Sequence, residues 1–575
     1  MAITLRDLRG LEGPNLYYGQ PCVKFELWAD RDIRRSIADT IKTWAQSIGI
    51  VIGALQQDVV PSEGGFVITT TFLTPFPTVG EKMCEGVLGD LQAAEAGDEE
   101  YSHDELVWEV MGERKREEPS MKVLQLHAEA RAHGLPVLLR DDGKLMIGTG
   151  KRGFIFDPAL IGLGIEPEVP WETLGRIPLV AVTGTNGKTT TVRLISHILA
   201  STGLLVGRTD TDGVYIGAEQ VEEGDWAGFG GARRVMTDPQ VDVAVLETSR
   251  GGILRRGLAF SKSDVSVITN VSDDHLHELG VETREEMARV KGVITLVVEP
   301  EGYIVLNADD PLVWELREYM VGQVIAFTRR PQDSVIQEHQ ATGGGVVASD
   351  GEDVVIDVGV VHARLPLRDI PLTVGGAALH NVENVLAATA ASIALGISSD
   401  EIKAALLTFG TQPEQNPGRL NLFRKGDQVV VLDYAHNEAS LTALLALGER
   451  LRREGGSRLI IIGGGPGDRP DEQIRKQGML AGQSGDLLFL HEEERYLRGR
   501  QLGQIPELYR SGAIAGGMRP ELISMFPDEL TALRAALQQA RQGDVILAAA
   551  HARRAEMLAA LQAWQASEAA SGTTA

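Results

Sequence analysis

Cysteine is nearly missing: Cys22 and Cys84 are the two in a chain of 575 residues. One pair cannot staple so long a chain, and the scarcity fits a reducing cytoplasm in which both are buried, idle thiols. Aromatic residues make up only 5%. No apolar run approaches the roughly 18–20 residues that a membrane span needs. The nearest, Val385 to Ile397, is Ala-rich and reads as a buried helix. The N-terminal stretch lacks the apolar core of a secretion signal. Positive charge is short, with 55 Lys+Arg against 80 Asp+Glu and a net charge of −25. That argues against nucleic acid and against anionic lipid as partners, since both need clustered cations. The expectation is a cytoplasmic protein with neither a nucleic-acid nor a membrane partner. What is present is ordinary for a globular chain, 43% hydrophobic and 23% charged, with room for three or four domains. Glycine is plentiful at 65 residues, and phosphate-binding loops consume glycine.

The first 170 residues read as an α+β unit. Strands are expected at Val23–Trp28 and Phe66–Phe72, and helices at Ile33–Ile48 and Met121–His133. The acidic stretch Gln92–Glu105 reads as a loop or a solvated helix, and Lys144–Phe156 as a hairpin. Gly162–Gly175 carries two prolines and reads as a linker. From Ile177 onward, short apolar strands alternate with helices: Leu179–Thr183, Asp242–Leu246, Val265–Thr269, Tyr303–Leu306 and Val324–Phe327. This is the pattern of a parallel sheet covered by helices. A β-rich insert at Gly344–Val374 and an Ala-rich helix from His380 follow. After the break at Gln412–Gly418 the alternation resumes, with strands at Gln428–Leu432, Leu459–Ile462, Leu487–Leu490 and Asp544–Leu547. Three domains are therefore expected, at 1–170, 171–415 and 416–575. The fold class is α/β: a central phosphate-loop domain and a C-terminal Rossmann-like domain, preceded by an α+β domain.

The strongest local signal runs from Leu179 through Gly184-Thr185-Asn186-Gly187-Lys188-Thr189-Thr190. A strand enters a Gly-rich turn and leaves as a helix. Backbone N–H groups in such a turn face a phosphate chain, and the helix N-terminus adds positive potential. Lys188 is placed to reach β/γ-phosphates and the Thr189 hydroxyl to hold Mg²⁺. Val182 stands where the full P-loop pattern has glycine, so the match is to the short form.

Further candidates follow at strand ends, where open α/β sheets bind ligands. Glu247 closes one strand; Asp274-His275 follows another; Lys291 comes sixteen residues after His275. Taken singly, Glu247 also fits a helix cap, His275 a structural histidine and Lys291 a solvated helix lysine. Glu247 and Thr189 offer the oxygens that Mg²⁺ prefers, and His275 is a candidate ligand for a second metal. Gly463-Gly-Gly-Pro-Gly467-Asp-Arg469 lacks a following Lys-Thr and reads as a tight βα turn.

As a set these residues resemble the Mur ligase family. Gly184–Thr190, Asp274-His275 and Lys291 are similar to its phosphate-loop and metal-site motifs. His380-Asn381-Val-Glu-Asn384, Pro417-Gly418-Arg419 and Asp433-Tyr434-Ala435-His436-Asn437 are similar to its adenine-proximal, interdomain and third-domain motifs. The resemblance covers about residues 176–575. Within the family the segments Leu246–Gly257, Leu306–Pro311, Asn416–Phe423 and Leu497–Arg500 resemble the C-terminal half of cyanophycin synthetase. Leu8-Arg-Gly, Gly13–Leu16 and Ala128–Phe156 resemble that enzyme's N-terminal domain. The ATP-grasp module that lies between those parts is missing here. The resemblance therefore implies one ATP site and one kind of amide bond.

What the resemblance implies is an ATP-dependent, ADP-forming amide ligase. It would join an amino acid or other amine to a carboxylate of an amino acid, a peptide or a cyanophycin-like chain, through an acyl phosphate. The implied catalytic residues are Lys188, Glu247, His275, Lys291, Arg419 and His436. ATP would be held by Gly184 to Thr190, Asn384 near adenine, Arg419, and Asp433 near the ribose or hinge. One or two Mg²⁺ would be held by Thr189, Glu247 and His275. In many relatives the lysine matching Lys291 is carbamylated. Relatives also make a homo-oligomer an expectation. The alternatives are a peptidoglycan-precursor or folate-type glutamate ligase, and a non-catalytic ATP-binding scaffold.

Overall fold

The computed structural model describes residues 3–274, 276–452 and 457–567. It divides into two compact units. One holds the chain through Gly184 with Leu199–Ala326 and Ala391–Ile397; the other holds Thr185–Ile198, Phe327–Ala390 and the chain from Ser398 on.

The first unit opens with a four-stranded antiparallel sheet. In spatial order its strands are Ile3–Leu11, Cys22–Ala29, Gly65–Leu73 and Gly53–Ser62. Helix Arg34–Ile48 buries Ile37, Ile41, Trp44 and Ile48 at helical spacing. Helix Pro77–Ala96 packs on the same sheet. Both thiols are buried and free, and burial pushes Cys22 up to about 12. The acidic stretch is not one element: its first residues end helix Pro77–Ala96, and helix Asp104–Glu117 begins after a turn. The expected hairpin has a third strand, so that Val137–Leu139, Leu145–Ile147 and Phe154–Phe156 form one antiparallel sheet. Residues 163–175 are irregular, yet Val169, Trp171 and Leu174 pack against the buried cluster of Val123, Ile147 and Phe156. The expected linker is therefore packed chain.

The same unit carries the parallel sheet. Its strands lie in the order Val206–Asp210, Val243–Glu247, Leu179–Thr183, Ser263–Ile268 and Val298–Asn307, each parallel to the next. A hairpin, Gly213–Ile216 with Glu219–Glu223, extends the first edge. Leu179–Thr183 and Val243–Glu247 are buried at every position, as strands covered on both faces must be. The chain leaves Leu179–Thr183 toward one side of the sheet and later returns to its other side. That strand is a topological switch point, where ligands bind at the carboxyl ends.

In the second unit, Gly345–Ser349, Asp353–Val358 and Val361–Pro366 form an antiparallel insert, as expected. Val385, Leu386, Ala387, Ala388, Ala390 and Ala391 are buried within helix Leu379–Ala394. A second sheet has the order Asn421–Lys425, Gln428–Asp433, Val545–Ala549, Leu459–Gly463, Leu487–His491 and Ile523–Phe526. It is parallel except for its first pair. Apolar clusters cover both faces. The edge strands Asn421–Lys425 and Ile523–Phe526 carry too mixed a pattern to be read from the sequence.

Candidate active site

The phosphate loop follows its strand directly. Gly184 sits at φ 150°, and a Cβ there would lie 1.8 Å from the Thr269 hydroxyl oxygen. Gly187 sits at φ 85°, in the left-handed region that favours glycine. Helix Lys188–Ser201 starts on the next residue. Lys188 Nζ donates to the Thr185 carbonyl at 2.9 Å, so the ammonium lies folded over the loop. Thr189 and Thr190 are buried at the helix start.

Three asparagines of the second unit hold this loop. A Cβ on Gly187 would come within 2.3 Å of Asn384 Oδ1, and that oxygen also accepts from the Thr191 hydroxyl at 3.3 Å. Asn384, expected near adenine, contacts the phosphate loop through Gly187 and Thr191. Asn437 Nδ2 donates to Asn186 Oδ1 at 3.0 Å, and Asn186 Nδ2 returns a bond at 3.4 Å. Asn416 Nδ2 donates to the Thr190 hydroxyl oxygen at 3.3 Å, and Asn416 Oδ1 accepts from Arg193 at 3.4 Å. Asn416 and Asn437 sit at the edges of recognised motifs, which was the available signal; their partners lie too far away in sequence to be read from spacing.

The remaining candidates of this unit gather around Tyr434. The Arg419 guanidinium stacks over its ring at 4.2 Å, and the rings of His436 and His551 lie at 5.2 and 5.3 Å. Asp433 accepts the Leu420 N–H at 2.8 Å, which fixes the backbone beside Arg419. Leu420 is itself left-handed at φ 54°. Asp433 thus anchors the arginine segment. The turn after Leu459–Gly463 is tied down by Arg500, which donates to the carbonyls of Gly467 at 2.6 Å and Arg469 at 2.7 Å. Those contacts suit a packed βα turn.

In the first unit, Glu247 ends its strand with 1% exposure. It is no helix cap: Ser249 caps helix Arg250–Arg256 by accepting the Gly252 N–H at 3.1 Å. The Thr183 hydroxyl donates to the Thr248 carbonyl at 2.6 Å and ties the end of the phosphate strand to the residue after Glu247. Asp274 is 5% exposed and Lys291 3%. Lys291 lies within helix Arg284–Gly292 and is not a solvated helix lysine. His275 lies outside the described residues. Among the described residues no group of three or more His, Cys, Asp or Glu gathers as around a metal, and no helix is long and apolar enough to cross a membrane.

A phosphate loop at the switch point of a parallel sheet, with a second α/β sheet after it, defines a class: α/β nucleotide-loop proteins with an added Rossmann-like domain. Comparison with known proteins narrows it. Residues 182–392 match the Mur ligase middle domain and residues 418–552 the Mur ligase glutamate ligase domain. Residues 2–211 match a domain of unknown function, DUF4938. The chain is 40% identical over 379 residues to cyanophycin synthetase of Crocosphaera subtropica, covering 66% of this chain and 43% of that one. It is 27% identical over 391 residues to the UDP-N-acetylmuramoyl-L-alanyl-D-glutamate–2,6-diaminopimelate ligase of Geobacillus kaustophilus, covering 65% and 73%. FolC of E. coli, solved with ADP, shares the fold with a TM-score of 0.50 at 18% identity, over 68% of this chain and 90% of that one. The chain belongs to the Mur ligase family. It spans less than half the length, 43%, of the cyanophycin synthetase that it matches.

Proposed function

We propose that this protein is an ATP-dependent, ADP-forming ligase that joins an amine to a carboxylate, with an N-terminal domain over about 1–170 and ligase domains over 171–415 and 416–575. The observation that carries the reading is the loop Gly184–Thr190, whose glycine turn opens helix Lys188–Ser201 at the switch point of the sheet. Such a loop aims N–H groups and a helix N-terminus at phosphate. The Mur ligase middle domain that contains the loop and the glutamate ligase domain that follows it support ligation as the use of that phosphate.

In this reading the substrate carboxylate takes the γ-phosphoryl group of ATP, giving ADP and an acyl phosphate. An amine then attacks the acyl carbon, the C–N bond forms, the C–OP bond breaks, and phosphate leaves. Two anions must meet in the first step, so the site needs concentrated positive charge. Lys188 swings from the Thr185 carbonyl to the phosphates, and Arg419, stacked on Tyr434, supplies a second cation. Thr189 and Glu247 provide hard oxygen donors, the set that Mg²⁺ takes. When bound, one or two Mg²⁺ would neutralise phosphate charge. His275 is assigned to the second metal position. Lys291, buried as an amine, is a candidate for carbamylation, which would make it an anionic metal ligand. Asn384, Asn416 and Asn437 order the loop. His436 faces the reacting groups from the third domain, where the amine is expected.

The substrates that fit this reading are an amino acid or other amine and a carboxylate of an amino acid, peptide or cyanophycin-like chain. Similarity to cyanophycin synthetase over the Mur-like region supports the last of these. A homo-oligomer in the cytoplasm completes the proposal. The test is ADP release from the full chain with ATP and Mg²⁺, alone and with each candidate acid and amine. The reading requires release that depends on both and a product whose mass equals acid plus amine minus water. ATP binding with no such release from any pair sinks it.

A further inference from the structure

Strand Ile3–Leu11 of the N-terminal sheet touches the central domain, and the contact reaches two segments that follow Val243–Glu247 and Ser263–Ile268, the strands on either side of Leu179–Thr183. Arg9, on strand Ile3–Leu11, donates through one guanidinium nitrogen to the Leu254 carbonyl at 3.1 Å and through the other to the Leu279 carbonyl at 3.4 Å. Its Nε is held by Asp7 at 2.8 Å, and Asp7 is held by Lys24 at 2.8 Å. The fork is therefore aimed from behind, and its side chain is only 13% exposed.

Leu254 belongs to helix Arg250–Arg256, which starts three residues after Glu247. A cation on a carbonyl at a helix C-terminus meets both the orphan acceptor and the dipole. Leu279 belongs to the segment 276–281 between Asp274 and the helix that carries Lys291. That segment is strained: His277 sits at φ 65° and Leu279 at φ 55°, and neither is glycine. Left-handed backbone at such residues persists only when the surroundings impose it. Two arginines impose it. Arg250 donates to the Glu278 carbonyl at 2.9 Å and to its carboxylate at 2.8 Å, and Arg9 takes the next carbonyl.

Backbone hydrogen bonds close the adjoining seam. Glu12 N–H donates to the Arg256 carbonyl at 2.8 Å and Leu258 N–H to the Pro14 carbonyl at 2.8 Å. The backbones cross so closely that a Cβ on Gly13 would lie 1.9 Å from the Leu258 oxygen, and one on Gly257 would lie 2.7 Å from the Gly13 oxygen. Arg256 pairs with Glu12. Helix Arg250–Arg256 contacts both strand Ile3–Leu11 and helix Arg284–Gly292.

We propose that the N-terminal domain acts as a clamp, in which Arg9 is a positioning residue that fixes segment 276–281 and, through helix Arg250–Arg256, the helix bearing Lys291. This gives the domain a part in the reaction without contact with substrate. It rests on the ligase reading for its kinetic consequence alone.

The experiment uses the full chain with Arg9→Met, which keeps the stem and removes the fork, and with Arg9→Lys, which keeps the charge but reaches one carbonyl at a time. Hydrogen exchange is read on peptides spanning 276–283, and ADP release is read with ATP varied. Loss of charged hydrogen bonds to two carbonyls makes exchange there about tenfold faster in Arg9→Met. kcat falls by about the same factor while KM for ATP stays within about twofold, because the phosphate loop is untouched. Arg9→Lys restores part of both. Should Arg9→Met fail to fold, Arg9→Lys carries the same readouts with smaller changes. Unchanged exchange in 276–283 overturns the clamp, whether or not the wild type ligates. Faster exchange with unchanged kcat overturns the positioning role.

Discussion

At the scale of single residues, the site is an arrangement of amides around one lysine. In the proposed reaction Lys188 is the charge that meets the phosphate chain, and here its ammonium donates to the Thr185 carbonyl. Lys188→Ala is expected to lower turnover at least a hundredfold, about the effect of removing one charge-stabilising donor; steady-state ADP release checks it, and full activity would refute the assignment. Asn437→Ala removes both bonds to Asn186. It should weaken ATP binding about tenfold, read by calorimetry, and the unfolding midpoint should fall by a few degrees, because Asn437 Oδ1 also caps helix Glu438–Leu451 by accepting the Ser440 N–H at 2.9 Å. His491 makes a separate prediction. It is buried on the last residue of its strand, neither ring nitrogen has a hydrogen-bond partner among the described residues, and burial lowers it from 6.5 to about 4. The folded protein keeps it neutral down to about pH 4, whereas the unfolded chain protonates it near 6.5. The unfolded state thus gains a proton first as pH falls. Stability should drop by about 3 kcal/mol between those two values and lose nothing more from this group below them. Urea unfolding across that range measures it; His491→Gln should flatten the slope.

At the scale of elements, the parallel strands were legible because burial on both faces leaves continuous apolar runs such as Leu179–Thr183. Their helices were legible from spacing. Helix Pro77–Ala96 was not, and Gly80, Gly86 and Gly89 give it low helix propensity. Each in fact accepts a neighbour: Cβ atoms there would lie 2.7 Å from Val23, 2.3 Å from the Trp44 ring and 2.1 Å from the Tyr101 hydroxyl. Site residues inside motifs were legible, but their partners were not. That Asn384 meets Gly187 depends on a tertiary approach that no spacing encodes. Lys291 looked like a surface lysine because its helix is rich in charge, yet it faces inward. The crossing of Gly13 and Gly257 belongs to this scale too. Gly13→Ala puts a methyl group 1.9 Å from a backbone oxygen. It should lower the unfolding midpoint of the first unit by several degrees, as an overpacking cost of about 1–3 kcal/mol implies; calorimetry reads it.

At the scale of the whole molecule, the net charge of −25 conceals a local need for cations. In the proposed site Lys188 and Arg419 meet that need. The N-terminal domain is the part whose role was least legible, because its contribution runs through backbone carbonyls rather than through a motif.

The central claim is that phosphate transfer is coupled to amide formation. Its most direct test is ADP release from the full chain in a matrix of acids and amines, with product masses read in parallel. The account predicts release only when one acid and one amine are present together, with one product equal to their sum less water. ADP formed at the same rate with neither would contradict it.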